Sequence, residues 1–143
     1  MTQTVAEPDV SPGRQETNSR DLPGPFAAPD LFDWLIVAAA SDLDTLPYGV
    51  IAMDLDGVVL AYNSAESKYA GLGVERVLGR NFFSNVAPCM NNFMVAHRFQ
   101  TEVDLDVIID YVLTLRMKPQ KVQLRLLKRS DVSRMYLIVQ RRT

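Results

Sequence analysis

Cysteine occurs once in these 143 residues, as Cys89, and histidine once, as His97. A single cysteine excludes an intramolecular disulfide and a multi-thiolate metal centre. With one histidine beside it, the ligand set of a Cys/His zinc site is not available either. No apolar run approaches the ~20 residues that a helix needs to span a bilayer. The N-terminus lacks the basic-then-apolar pattern of a secretory signal. A cytoplasmic protein with no membrane partner is the expectation. What is present is ordinary: 48% hydrophobic and 22% charged residues with a net charge of -2, in a length that suits one domain with one modest core.

The small net charge conceals an uneven distribution. From Arg116 onward the bases Arg116, Lys118, Lys121, Arg125, Lys128, Arg129, Arg134, Arg141 and Arg142 face Asp131 alone, whereas the preceding stretch from Asp30 is mainly acidic. Such an end could bind nucleic acid or acidic lipid. The bases alternate with apolar residues, however, and form no patch interleaved with aromatics. They are expected on the solvent face of paired strands, where opposite charges meet across a ladder, with no nucleic-acid partner.

Residues 1–28 hold Pro8, Pro12, Pro23 and Pro25 among polar residues and little apolar content, which predicts a disordered arm. Over 29–45 a helical cap is expected. Its helix runs over Leu31–Ala38 behind Asp30 as a candidate N-cap, with Leu31, Trp34, Leu35 and Ala38 on one face. The domain proper is expected over 46–143. Tyr48–Leu55 and Val58–Tyr62 alternate as strands about the turn residues Asp54-Leu55-Asp56-Gly57. Ser64–Ala70 and Val74–Leu78 suit short helices punctuated by Gly71, Gly73 and Gly79. Arg80–Cys89 lacks periodicity. Asn92–Val103 carries Val95, Phe99 and Val103 at four-residue spacing, a helix pattern. Val107–Met117, Lys121–Arg129 and Met135–Gln140 alternate as three further strands. The expected fold is α+β of the PAS type: a five-stranded antiparallel sheet, flanking short helices and one longer connecting helix.

Three segments sharpen this reading. Gly79-Arg80-Asn81-Phe82-Phe83-Ser84-Asn85-Val86-Ala87-Pro88-Cys89 resembles the chromophore-attachment segment of photoactive yellow proteins. Upstream, Tyr62-Asn63-Ser64-Ala65-Glu66 is similar to that family's Tyr-Asn-Ala-Ala-Glu, at the same distance from the cysteine. Downstream, Met117-Lys118-Pro119-Gln120-Lys121-Val122 resembles its Met-Thr-Pro-Thr-Lys-Val. The resemblance runs from about Leu46 to Arg142.

The resemblance implies a non-enzymatic blue-light photoreceptor. It would carry 4-hydroxycinnamic acid (p-coumaric acid) as a thioester on Cys89 and signal to a downstream protein. A thiol suits thioester formation because its thiolate is nucleophilic near neutral pH. A phenol has a pKa near ~10, so holding it ionised in a buried site requires donors at its oxygen. The resemblance assigns that role to Tyr62 and to a protonated Glu66. It also implies trans-cis isomerisation, a proton leaving Glu66, and partial unfolding around the buried carboxylate so formed. Tyr111 and Met117 would flank the chromophore, and Ile51 and Val86 are expected to line its pocket.

Each of these residues has an ordinary alternative. Asn63-x-x-Glu66 is close to a capping box, in which Glu66 reaches back to the helix start. An isolated buried cysteine is usually a small hydrophobe, and a core tyrosine needs only one partner for its hydroxyl. Ala70 and Leu72 stand where the family has a threonine supporting the tyrosine and an arginine covering the chromophore. Tyr136 replaces a tryptophan. Two other functions therefore stay open: a non-photoactive PAS interaction module, and a redox sensor using the Cys89 thiol.

Overall fold

Five strands form one antiparallel sheet in the spatial order β2-β1-β5-β4-β3: β1 (Gly49–Asp54), β2 (Val59–Tyr62), β3 (Leu105–Leu113), β4 (Gln120–Lys128) and β5 (Arg134–Arg141). This computed structural model describes residues 25–114 and 118–141. The arm expected over 1–28 lies outside the described residues up to residue 24, and Met117 lies outside them too. The chain divides into two units between Leu31 and Phe32, and the second carries the whole sheet.

The β1–β2 turn forms as its residues dictate. Asp54 Oδ1 accepts the backbone N–H groups of Asp56 and Val58, each at 2.9 Å. Gly57 takes φ +88°, a conformation that costs glycine nothing. The strand ladder then sets Ile51 opposite both Tyr62 and Leu137. Period-two alternation sends Met135, Leu137 and Val139 of β5, with Val122, Leu124 and Leu126 of β4, into a core shared with Ile51, Met53, Phe82, Phe83 and Phe99. Tyr136 faces the other way. Its ring meets Phe32 edge-on at 5.7 Å, and its hydroxyl donates to the Leu35 carbonyl at 3.3 Å.

Among the described residues, six short helices or turns and one further α-helix connect and flank the strands. They are α1 (Leu31–Ile36), α2 (Ala40–Leu43), α3 (Ser64–Ala70), 3₁₀ turns at Val74–Arg76 and Pro88–Met90, a π turn at Phe82–Val86, and α4 (Ala96–Thr101). The connecting helix is shorter than the 92–103 expected. At its start Asn92 Oδ1 accepts the N–H groups of Met94 and Val95, at 3.0 and 3.2 Å, a side-chain turn that competes with the helix. At its end Glu102 is already extended. Val95 and Phe99 are buried as their spacing requires, but Val103 falls beyond the helix and is 62% exposed.

The third strand begins two residues before the expected Val107 and its described span ends at Leu113. The fully solvent-facing basic end is also corrected. Arg125 is buried and bonds both carboxylate oxygens of Asp106, at 2.9 and 3.0 Å, diagonally across the β3–β4 ladder. Arg141 is withdrawn from solvent as well, with a partner described below.

Among the described residues no helix is long and apolar enough to cross a membrane. Nor do they hold a group of three or more side chains suited to a metal ion.

Candidate functional site

Cys89 lies in the 3₁₀ turn that follows the π turn, and both turns are tied to the rest of the domain. Asn81 Oδ1 accepts the N–H groups of Phe83 and Ser84, each at 3.1 Å. Its Nδ2 donates to the Asp56 carbonyl at 3.0 Å, which fastens the segment to the β1–β2 turn. Phe82 and Phe83 anchor it in the core. At the far end the Tyr111 hydroxyl donates to the Cys89 carbonyl at 2.6 Å, and Asn92 Nδ2 donates both to that carbonyl and to the Tyr111 oxygen. The Cys89 backbone is thus clamped, while its side chain is free and partly accessible.

Tyr62 and Glu66 are positioned by the residue between them. Asn63 is buried, and all its side-chain capacity is used. Its Oδ1 accepts from Val50 N and Glu66 N at 2.9 and 3.1 Å; its Nδ2 donates to the carbonyls of Leu43 and Tyr48 at 2.9 and 3.0 Å. This caps α3 and fixes it against β1. The capping box is only half formed: Asn63 accepts the Glu66 N–H, but the Glu66 side chain does not return to the cap.

Instead, Glu66 is buried against β1 and β5. Arg141 donates to both of its carboxylate oxygens, at 2.6 and 3.1 Å, with side-chain exposures of 8% and 3% for the pair. Two parallel N–H···O bonds are the strong geometry for guanidinium and carboxylate. Burial pushes the Glu66 carboxyl up from its ordinary value, while the Arg141 hydrogen bonds and charge pull it back. Burial also raises the Tyr62 phenol, the Glu66 charge raises it further, and Arg141 opposes them. The Tyr62 hydroxyl has no hydrogen-bond partner among the described residues, although the residue is only 4% exposed. A buried polar group left unsatisfied is uncommon and calls for an explanation.

Five of the expected site residues meet one hydrophobic core. Ile51 and Tyr62 belong to the apolar core, and Val86, Cys89 and Tyr111 pack against it. Ala70 is buried and Leu72 packs on the same core. An open groove of about 680 Å³ lies beside Tyr111 and Asn92, walled by Met94, Asp110, Val112, Lys121 and Val122; of the expected site residues that are described, it is lined by Tyr111 and not by Cys89, Tyr62 or Glu66. His97 is exposed, edge-on to the Phe93 ring. The residue that sequence reasoning missed is Arg141. Continuing the β5 alternation one step beyond Leu137 and Val139 puts it on the core face, but the strand was expected to end at Gln140.

A family model described as the PAS fold matches residues 41–142. The chain is 32% identical over 120 residues to the photoactive yellow protein of Rhodothalassium salexigens, covering 82% of this chain and 95% of that protein. Its identity to the photoactive yellow protein of Halochromatium salexigens is 36% over 106 residues, 72% and 85% of the two chains. It is also similar to the crystal structure of the photoactive yellow protein domain from the sensor histidine kinase Ppr of Rhodospirillum centenum. There the TM-score is 0.68 at 37% identity, with 73% of this chain and 94% of that one covered. The fold and the matched residues together make this chain a member of the photoactive yellow protein family, built on a PAS domain.

Proposed function

We propose that the chain is a blue-light photoreceptor that carries 4-hydroxycinnamic acid as a thioester on Cys89. The observation that carries this reading is the buried Tyr62 hydroxyl, without a hydrogen-bond partner among the described residues and within the influence of the Glu66 charge. An ionised phenol from a ligand would complete the Tyr62 hydroxyl. With its own pKa raised, Tyr62 keeps its proton at neutral pH and so can only donate toward an anion. Glu66 can donate only while protonated, and its burial favours that form. Cys89 supplies the thiol, and the Tyr111–Asn92 clamp holds its backbone in one orientation. Ile51, Val86, Tyr111 and Met117 are the apolar and aromatic wall in this reading.

When bound, the group supplies absorption of visible light and a double bond whose trans-cis isomerisation changes what Tyr62 and Glu66 face. The chain then responds through its own groups: Glu66 gives its proton to the phenolate oxygen, and the packing of α3 against β1 loosens. Partial unfolding of this kind is the output to a separate signalling protein. A sensor rather than an enzyme, acting in the cytoplasm, is the matching assignment. Ala70 removes a hydrogen-bonding neighbour of Tyr62 and Leu72 a cation from the pocket mouth, so colour and cycle rate should differ from those of the relatives.

Mixing the chromophore-free protein with an activated ester of 4-hydroxycinnamic acid tests the attachment. Wild type should gain a visible absorption band and Cys89→Ser should stay colourless. A folded wild type that remains colourless, or is acylated elsewhere, rejects the reading.

A further inference from the structure

Glu66 has two demands on it: the proposed function needs it protonated and aimed at a ligand, while the structure holds it in a bidentate pair with Arg141. The pair is built rather than incidental. Arg141 Nε donates to Gln120 Oε1 of β4 at 3.4 Å, its guanidinium lies over the Tyr69 ring at 5.3 Å, and its remaining nitrogens meet Glu66. On the other side, Gly49 is what makes room. A Cβ there would collide with Glu66 Oε1, and would stand 3.1 Å from its carboxyl carbon and 3.2 Å from its Cβ. Gly49 does not need its flexibility for the backbone, since it is a regular residue of β1 without a positive φ. Its missing side chain is the space that the carboxylate fills.

We propose that Gly49 and Arg141 form a second seat for Glu66, taken by its ionised carboxylate in the chromophore-free chain and again whenever Glu66 has released its proton. This rests on the reading of Glu66 as a donor to a bound phenolate. In the seat the carboxylate's charge is met by a cation and both its oxygens are bonded. The seat competes with the donor position, because one carboxyl cannot face both. Arg141 thus acts through Glu66 as a positioning residue, and the groups acting on that carboxyl are Arg141 from β5 and Tyr62 from β2.

Infrared spectroscopy of the chromophore-free protein at neutral pH reads the seat directly. Wild type should show no C=O stretch of a protonated buried carboxylic acid. Arg141→Gln should gain that band and lose it in the double variant with Glu66→Gln; Arg141→Lys should restore most of the ionised form. Gly49→Ala keeps both charged residues but fills the seat, so it should gain the same band. It also decides the matter if Arg141→Gln does not fold. A carboxyl that stays ionised in both Arg141→Gln and Gly49→Ala overturns the proposal. In chromophore-loaded protein, Arg141→Gln should speed dark recovery by at least about tenfold, because the ionised state loses its partner; equal rates count against the seat. Failure of wild type to take up the activated ester while the infrared pattern holds would reject the photoreceptor reading and leave the pair standing. Loading without the infrared change would reject the seat alone.

Discussion

Glu66 can donate a hydrogen bond in one protonation state and pair with a cation in the other, and its surroundings serve both. Burial raises the carboxyl above its ordinary 4.5, with Arg141 opposing. Between 4.5 and the raised value the folded chain holds a proton that the unfolded chain has released. The contribution of this proton to stability is therefore full below 4.5 and is lost as pH rises through the folded value. Relative to Glu66→Gln, the urea midpoint of wild type should fall across that window. A relative midpoint that climbs with pH would mean that Arg141 outweighs burial. The importance of Glu66 was legible in the sequence, because Tyr62-Asn63-Ser64-Ala65-Glu66 carries a family pattern. Arg141 was not. Its partner is 75 positions away, and an arginine near the end of a strand ordinarily faces water.

At the scale of elements, the domain depends on side chains that tie helices and turns to strands. Asn63 joins α2, β1 and α3 through four bonds from one buried amide. Asn63→Ala leaves two N–H groups and two carbonyls without that partner. It should cost about 3 kcal/mol, given ~1–3 kcal/mol for each buried group left unsatisfied and partial relaxation. Urea unfolding measures this, and a loss below about 1 kcal/mol would show that water replaces the amide readily. The helix Ser64–Ala70 was readable to the residue, since a capping asparagine and Gly71 bracket it and Gly71 takes φ 76°. The connecting helix was overextended because the Val95, Phe99, Val103 spacing is correct for a helix but carries no information about competing side-chain bonds. Asn92 provides those bonds at one end.

Across the whole molecule, alternation with period two located all five strands within two residues at each start, and the chain order of strands and helices gave the PAS arrangement. What alternation could not give is lateral order. That β5 lies between β1 and β4 follows from long-range pairing, and it is this placement that carries Arg141 to Glu66. The site has the same division. Cys89, Tyr62 and Glu66 come from separate segments whose motifs name them individually, whereas the ion pair exists only once the sheet has closed over α3. The proposed function requires a reversible response to light by a group on Cys89. The most direct measurement is the absorption of the loaded protein before, during and after blue illumination. The visible band should bleach in the light and return in darkness, in wild type and not in Cys89→Ser carried through the same treatment. A band on Cys89 that illumination leaves unchanged would contradict it.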